Sequence, residues 1–285
     1  VFFIAAVPGL IIAALMFTVK EPLRGLGDTI DKMRAARGQD DADAHGDAHG
    51  VVTGSAASIW SDAKDLLKVK TLRGVILAQA ILAFGVAGLF YWLPTFLERL
   101  EDLDTDAASG LAGGVGGTGI VIGIIIGSRL GDKDRGNGWR IRMSSVALLV
   151  GAVGLTLTVL LPGVPMRMAM VTLACIGFAA AIPNMTAANA DVLPANGRGM
   201  GFAVLTFLVT LGGSVGPLLI GWTSTFLAGQ FDLSKADSLQ YAMLILLPPL
   251  FICIGVALRI RNTYDDDAAK ALASGGGADA AAAGH

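Results

Sequence analysis

The sequence predicts an all-α membrane protein with seven spanning helices, and three observations carry that reading. Of its 285 residues 54% are hydrophobic and 15% charged, against roughly 25% charged in soluble domains. The charges cluster, leaving charge-free stretches at Val1 to Val19, Gly74 to Leu97, Ala107 to Ser128, Met143 to Met166, Met168 to Ala190, Gly199 to Phe231 and Ser238 to Leu258. Each is close to or above the roughly 20 residues a helix needs to cross the hydrocarbon core. None alternates with period two, so helices are the remaining way to satisfy backbone polar groups in lipid.

The first stretch, residues 1–19, opens in mid-helix as VFFIAAVPGL without an initiator Met or a signal-peptide pattern. It reads as one span inside a longer protein, of which this chain is the C-terminal part. Residues 20–73 form a long connection whose centre, QDDADAHGDAHG, is small and polar and is expected to be disordered. His45 and His49 lie in that linker, where solvated polar chain explains them better than metal binding. Within the connection, residues 58–70 combine Ile59, Trp60, Leu66, Leu67 and Val69 with lysines and aspartates, the pattern of an interfacial helix capped by Ser58. Residues 74–258 hold the remaining six spans. Residues 259–285 lose apolar bulk after RIR and are expected to be a disordered tail.

Orientation follows from lysine and arginine. One arrangement collects 18 of the 21 basic residues on the side of the linker and the tail, leaving Arg99, Arg167 and Lys235 opposite, beside Glu98, Glu101, Asp102, Asp104 and Asp106. The basic side is expected to be cytoplasmic, in a multi-pass cell-membrane protein, with a bacterial inner membrane suggested by the alanine and glycine content. The net charge of -2 and the lack of a basic patch with interleaved aromatics set nucleic acid aside.

No Asp, Glu, Lys, Arg or His lies inside the charge-free stretches, and no P-loop is present. Membrane-embedded acid–base, nucleophilic or zinc chemistry therefore has no visible residues, and neither enzyme activity nor a cofactor is expected. Gly114 to Gly119, GVGGTG, has the spacing of a dinucleotide fingerprint but sits in a span with no preceding strand. Gly119, Gly123, Gly127 and Gly131 continue at every fourth position, which is the spacing of close helix packing in membranes. Pro94, Pro183 and Pro217 are expected to kink or break their helices. Cys175 and Cys253 fall within apolar stretches and read as small hydrophobes.

The neutral polar residues in the spans are candidate cargo contacts. Asn184 and Asp191 lie seven apart on one helical face, expected to face a cavity, with Asn189 on a neighbouring face. Gln79 contacts cargo or ties two helices. Tyr91 and Trp92 line the cavity or belong to an interfacial belt. Thr118, Thr206 and Thr210 either face cargo or bond their own helix backbone.

Four segments together resemble the C-terminal part of a major facilitator superfamily transporter, helices six to twelve. They are KEPLRG after the first span, RLGDKDRGNGWR after the third, NADVLPANGRG after the fifth, and the sixth span with GGSVGPLLIG. The last two are similar to the Spinster branch. The resemblance implies two six-helix bundles working by alternating access, the N-terminal bundle lying outside this chain. It implies a lysolipid or sphingoid-type amphiphile as cargo, exported with proton coupling, and no cofactor. In the loop motif Asp132, Lys133, Arg135 and Arg140 would latch one conformation, with Asp191 and Arg198 at the neighbouring loop. Ser128 stands where the motif's opening glycine is expected. Transport of another small organic solute or drug, and a non-transporting scaffold or sensor on the same fold, are the alternatives.

Overall fold

A computed structural model describes residues 14–15, 64, 66–133, 138–193 and 198–283, side chains being placed up to residue 271 apart from that of Arg198. The chain divides into Val1–Val52 and Thr53–His285. Of the first unit only Ala14 and Leu15 are described, both helical, so the predicted span at 1–19 and most of the linker with its interfacial helix lie outside the described residues.

The second unit runs α1 (Lys70–Glu101), α2 (Thr105–Gly131), α3 (Trp139–Leu160), α4 (Val164–Asp191), α5 (Arg198–Phe231), α6 (Lys235–Ile245) and α7 (Pro248–Ala283). These make six segments long and apolar enough to span a membrane, α6 and α7 together forming the last. Turn chemistry sets their ends. Asp104 caps α2 by accepting from the Ala107 N–H at 2.7 Å, and Ser234 caps α6 by accepting from the Asp237 N–H at 3.0 Å. Gly138, with φ 62°, opens α3 in a left-handed conformation that a side chain would strain.

Apolar side chains gain little by leaving lipid for protein, so the helices must associate by backbone proximity and hydrogen bonds. The glycine periodicity supplies this. Gly119, Gly123, Gly127 and Gly131 lie against Thr172 and Cys175, Ile176 and Ala179, Ala180, and Asn184 in turn. Both sets advance in the same direction, so α2 and α4 run parallel in matched register. A second parallel seam joins α1 to α5, where Gly212 meets the Ala80 carbonyl and Gly216 meets the Phe84 carbonyl. Between α3 and α4, which run antiparallel, Gly151 packs on Phe178 and Gly154 on Ala174.

Two expectations are corrected. The helix breaks expected as one outcome at Pro94, Pro183 and Pro217 do not occur, since all three sit inside continuous helices, where a kink remains the expectation; a break falls instead at Leu246 and Leu247, before Pro248 and Pro249. One proline removes one donor, which a long helix absorbs, whereas two consecutive prolines remove two and start a new helix at Pro248. The tail expected to be disordered continues α7 past Leu258 to Ala283. It is anchored by tertiary bonds that composition does not show: the Thr71 N–H donates to Asp267 at 3.1 Å and the Gly138 N–H to Asp265 at 3.1 Å.

Candidate functional site

The polar side chains fall into three groups along the bundle. At the end rich in lysine and arginine, Arg140 at the start of α3 donates to Asp191 at the end of α4 over 2.8 Å. The same Asp191 oxygen accepts the Tyr264 hydroxyl of α7 at 2.6 Å. One carboxylate thus ties three helices. Asp132 and Lys133 are exposed at the end of α2, the Asp132 N–H donating to the Ser128 carbonyl at 3.0 Å. Arg135 and the side chain of Arg198 lie outside the described residues. Tyr264 is the member the sequence did not reveal, because it falls in the segment read as a tail.

At the acidic end a second tie holds α1 to α4. Arg167, 4% exposed, donates to Glu101 at 2.6 Å and to the Thr158 carbonyl at 3.0 Å, and its guanidinium lies 4.7 Å from the Phe96 ring centre. Glu101 also accepts the Gly163 N–H at 3.1 Å. The sequence placed Arg167 between spans; it lies instead in the first turn of α4. The signal was Pro162, Gly163 and Pro165, which mark the turn and the first helical positions ahead of Arg167.

Between the two ends the polar groups are neutral, and the structure sorts them. Asn184 donates to the Gly127 carbonyl at 2.9 Å and the Ala180 carbonyl at 3.0 Å, filling the gap that Gly127 and Gly131 leave. The cavity expected beside it is a narrow apolar crevice of about 160 Å³ among α2, α3 and α4. Trp92 donates its indole N–H to the Pro217 carbonyl at 2.9 Å, so it ties α1 to α5. Tyr91, packed edge-on against Trp92, is 68% exposed. Thr118 is exposed and donates to the Gly114 carbonyl of its own helix at 2.8 Å. Thr206 and Thr210 are exposed one turn apart on α5, which with α2 is the least buried of the spans. Gln79 and Asn189 are buried with side-chain atoms that have no partner among the described residues: Nε2 of Gln79 and both Nδ2 and Oδ1 of Asn189. Among the described residues no group of histidine, cysteine and carboxylate ligands could hold a metal.

Six long apolar segments joined by backbone seams, with charge ties at both ends and neutral polar groups between, define a multi-pass α-helical membrane protein. The sequence profile of the Major Facilitator Superfamily matches residues 1–217 and 140–282. The chain belongs to that superfamily and has its transporter fold. A bacterial homolog to the human lysosomal transporter Spinster, solved inward-facing and unoccupied, superposes with a TM-score of 0.61 at 19% identity, over 93% of this chain and 59% of its own. The inward-facing and occupied structure gives 0.57 at 20% identity, over 70% of this chain and 50% of that one. A peptide transporter POT in complex with sulfate gives 0.55 at 16% identity, over 78% and 48%. The chain therefore spans about half the length of these structures, and at such identities the likeness is one of fold. No curated protein matches the sequence.

Proposed function

We propose that the intact protein is a secondary active transporter that works by alternating access and exports a lysolipid or sphingoid-type amphiphile, coupled to protons. The observation that carries this reading is the uncharged character of the exposed surface of the spans. Tyr91, Thr118, Thr206 and Thr210 are exposed there among large apolar side chains such as Phe207 and Leu211. A wall of this kind offers hydroxyls to a head group and apolar surface to a tail, and it lacks the cation that a dianionic cargo requires.

In this reading those four residues contact cargo, while Asn184 and Trp92 hold the wall in place. Gln79 and Asn189 act with them: a buried unpaired amide costs about 1–3 kcal/mol, which favours an alternative packing that gives it a partner. The Arg140–Asp191–Tyr264 tie is the gate on this bundle, with Asp132, Lys133, Arg135 and Arg198 in the loops beside it. The basic end faces the cytoplasm of a bacterial inner membrane, and the proton site belongs to the N-terminal bundle. The fold shared with a bacterial homolog to the human lysosomal transporter Spinster supports the transporter part of this reading.

The test is lysophospholipid flux into proteoliposomes of the intact parent protein, with and without an imposed pH gradient, beside a hydrophilic sugar. Gradient-dependent lysolipid flux that falls in Tyr91→Ala and in Thr206→Val/Thr210→Val is expected. Sugar flux, or flux of neither solute, overturns the cargo.

A further inference from the structure

At the basic end the start of α1 runs antiparallel to α7, and the two touch where Gly74 meets Ile260: a Cβ on Gly74 would lie 2.5 Å from Ile260 Cγ1. Beside this contact opens a groove of about 340 Å³. Gly74, Ile260 and Thr263 line it together with three cations and two further apolar side chains. On α1, Lys70 and Arg73 precede Leu77, and on α7, running the other way, Arg259 lies outside Val256. At 1.5 Å per residue the cations sit about one to two turns nearer the basic end than Leu77 and Val256.

The three cations are exposed, and among the described residues none of their side chains has an ion-pair partner. No carboxylate lines the groove. Asp266 and Asp267 line the adjoining cavity with Lys68, Lys70 and Lys270, and Asp267 is already engaged by the Thr71 N–H and, at 3.8 Å, by Lys270. Isolated lysines and arginines at a membrane edge merely orient a protein. Three unpaired cations from two helices, set above an apolar slot between those helices, match a molecule with an anionic head and a hydrocarbon tail.

We propose that this groove binds an anionic phospholipid of the leaflet at the basic end, its phosphate at Lys70, Arg73 and Arg259 and an acyl chain along Leu77 and Val256. None of its lining residues is among those assigned to cargo, and the proposal does not rest on that assignment. A lipid seated here clips the start of α1 to α7.

The test uses the intact parent protein in mild detergent, with retained lipid measured by native mass spectrometry against phosphatidylglycerol, phosphatidylcholine and inorganic phosphate. Phosphatidylglycerol should be retained at least about tenfold better than phosphatidylcholine. Each of Lys70→Gln, Arg73→Gln and Arg259→Gln should weaken it about fivefold, the effect of one cation near an anionic surface. Leu77→Trp, which keeps every cation but fills the slot, should weaken it as well, with the size-exclusion profile of the protein unchanged. Equal retention of the two lipids, or glutamine variants that bind as the parent does, would show cations that only orient the chain and overturns the proposal. Full binding in Leu77→Trp, or displacement of phosphatidylglycerol by an equal concentration of inorganic phosphate, would show a simple anion site and overturns it equally.

Discussion

Removing the carboxylate of Glu101 leaves the Arg167 guanidinium buried without its ion-pair partner. Arg167 is 4% exposed, its Nε lies 2.6 Å from Glu101, and its remaining contacts are the Thr158 and Val159 carbonyls and the Phe96 ring. The carbonyls and the ring attract the cation without neutralising it. Taking one partner from a buried ion pair costs about 3–5 kcal/mol, whereas an exposed pair is worth about 0–1 kcal/mol. Glu101→Ala should therefore lower the melting temperature of the detergent-solubilised protein by about 6–20 °C, at about 2–4 °C per kcal/mol for a domain of this size. The double variant Glu101→Leu/Arg167→Met removes the charge together with its partner and should recover most of the loss, because an apolar pair of similar volume often replaces a buried salt bridge at little cost. A fall below about 2 °C in Glu101→Ala, or a double variant less stable than either single one, would refute the view that the tie is a buried charge in need of its partner.

Three further outcomes are expected. Gly127→Val places a side chain against the Ala180 carbonyl and must separate α2 from α4; overpacking of this kind costs about 1–3 kcal/mol, read as a lower melting temperature, while the same change at Gly113, which has open space around it, should be nearly silent. Asn184→Ala loses its bonds to the Gly127 and Ala180 carbonyls and should cost about 0.6–1.7 kcal/mol of stability; reduced lysolipid flux with full stability would place Asn184 at the cargo instead. Asp191→Asn breaks the half-buried Arg140 pair at a cost of about 1 kcal/mol to folding, yet it should shift labelling of a cysteine introduced at position 210 toward one side of the membrane. Unchanged labelling would remove the Arg140–Asp191–Tyr264 tie from the gating scheme.

The spans were legible because length and lack of charge are properties of a segment by itself. The four-residue glycine period in α2 was legible for a related reason: a small residue at every turn has meaning only as a surface for another backbone. What escaped depended on partners. Asn184 reads as a polar residue facing a cavity until the carbonyl of Gly127, on another helix, is seen to accept from it. Residues 259–271 read as solvated tail because DDDAAKA has no core-forming bulk, although Tyr264, Asp265 and Asp267 reach α4, the start of α3 and the start of α1. Pro248 and Pro249 were hidden by their apolar neighbours, since a count of charges does not register a missing donor.

The two parallel glycine seams have a mechanical consequence. A contact made by long side chains can repack by changing rotamers, but a contact between backbones has no rotamers to change and a single distance at which it fits. α2 with α4, and α1 with α5, are therefore welded planks. Displacement within the bundle must be taken up where side chains meet or where the chain is already broken, as at Leu246 and Leu247 ahead of the paired prolines.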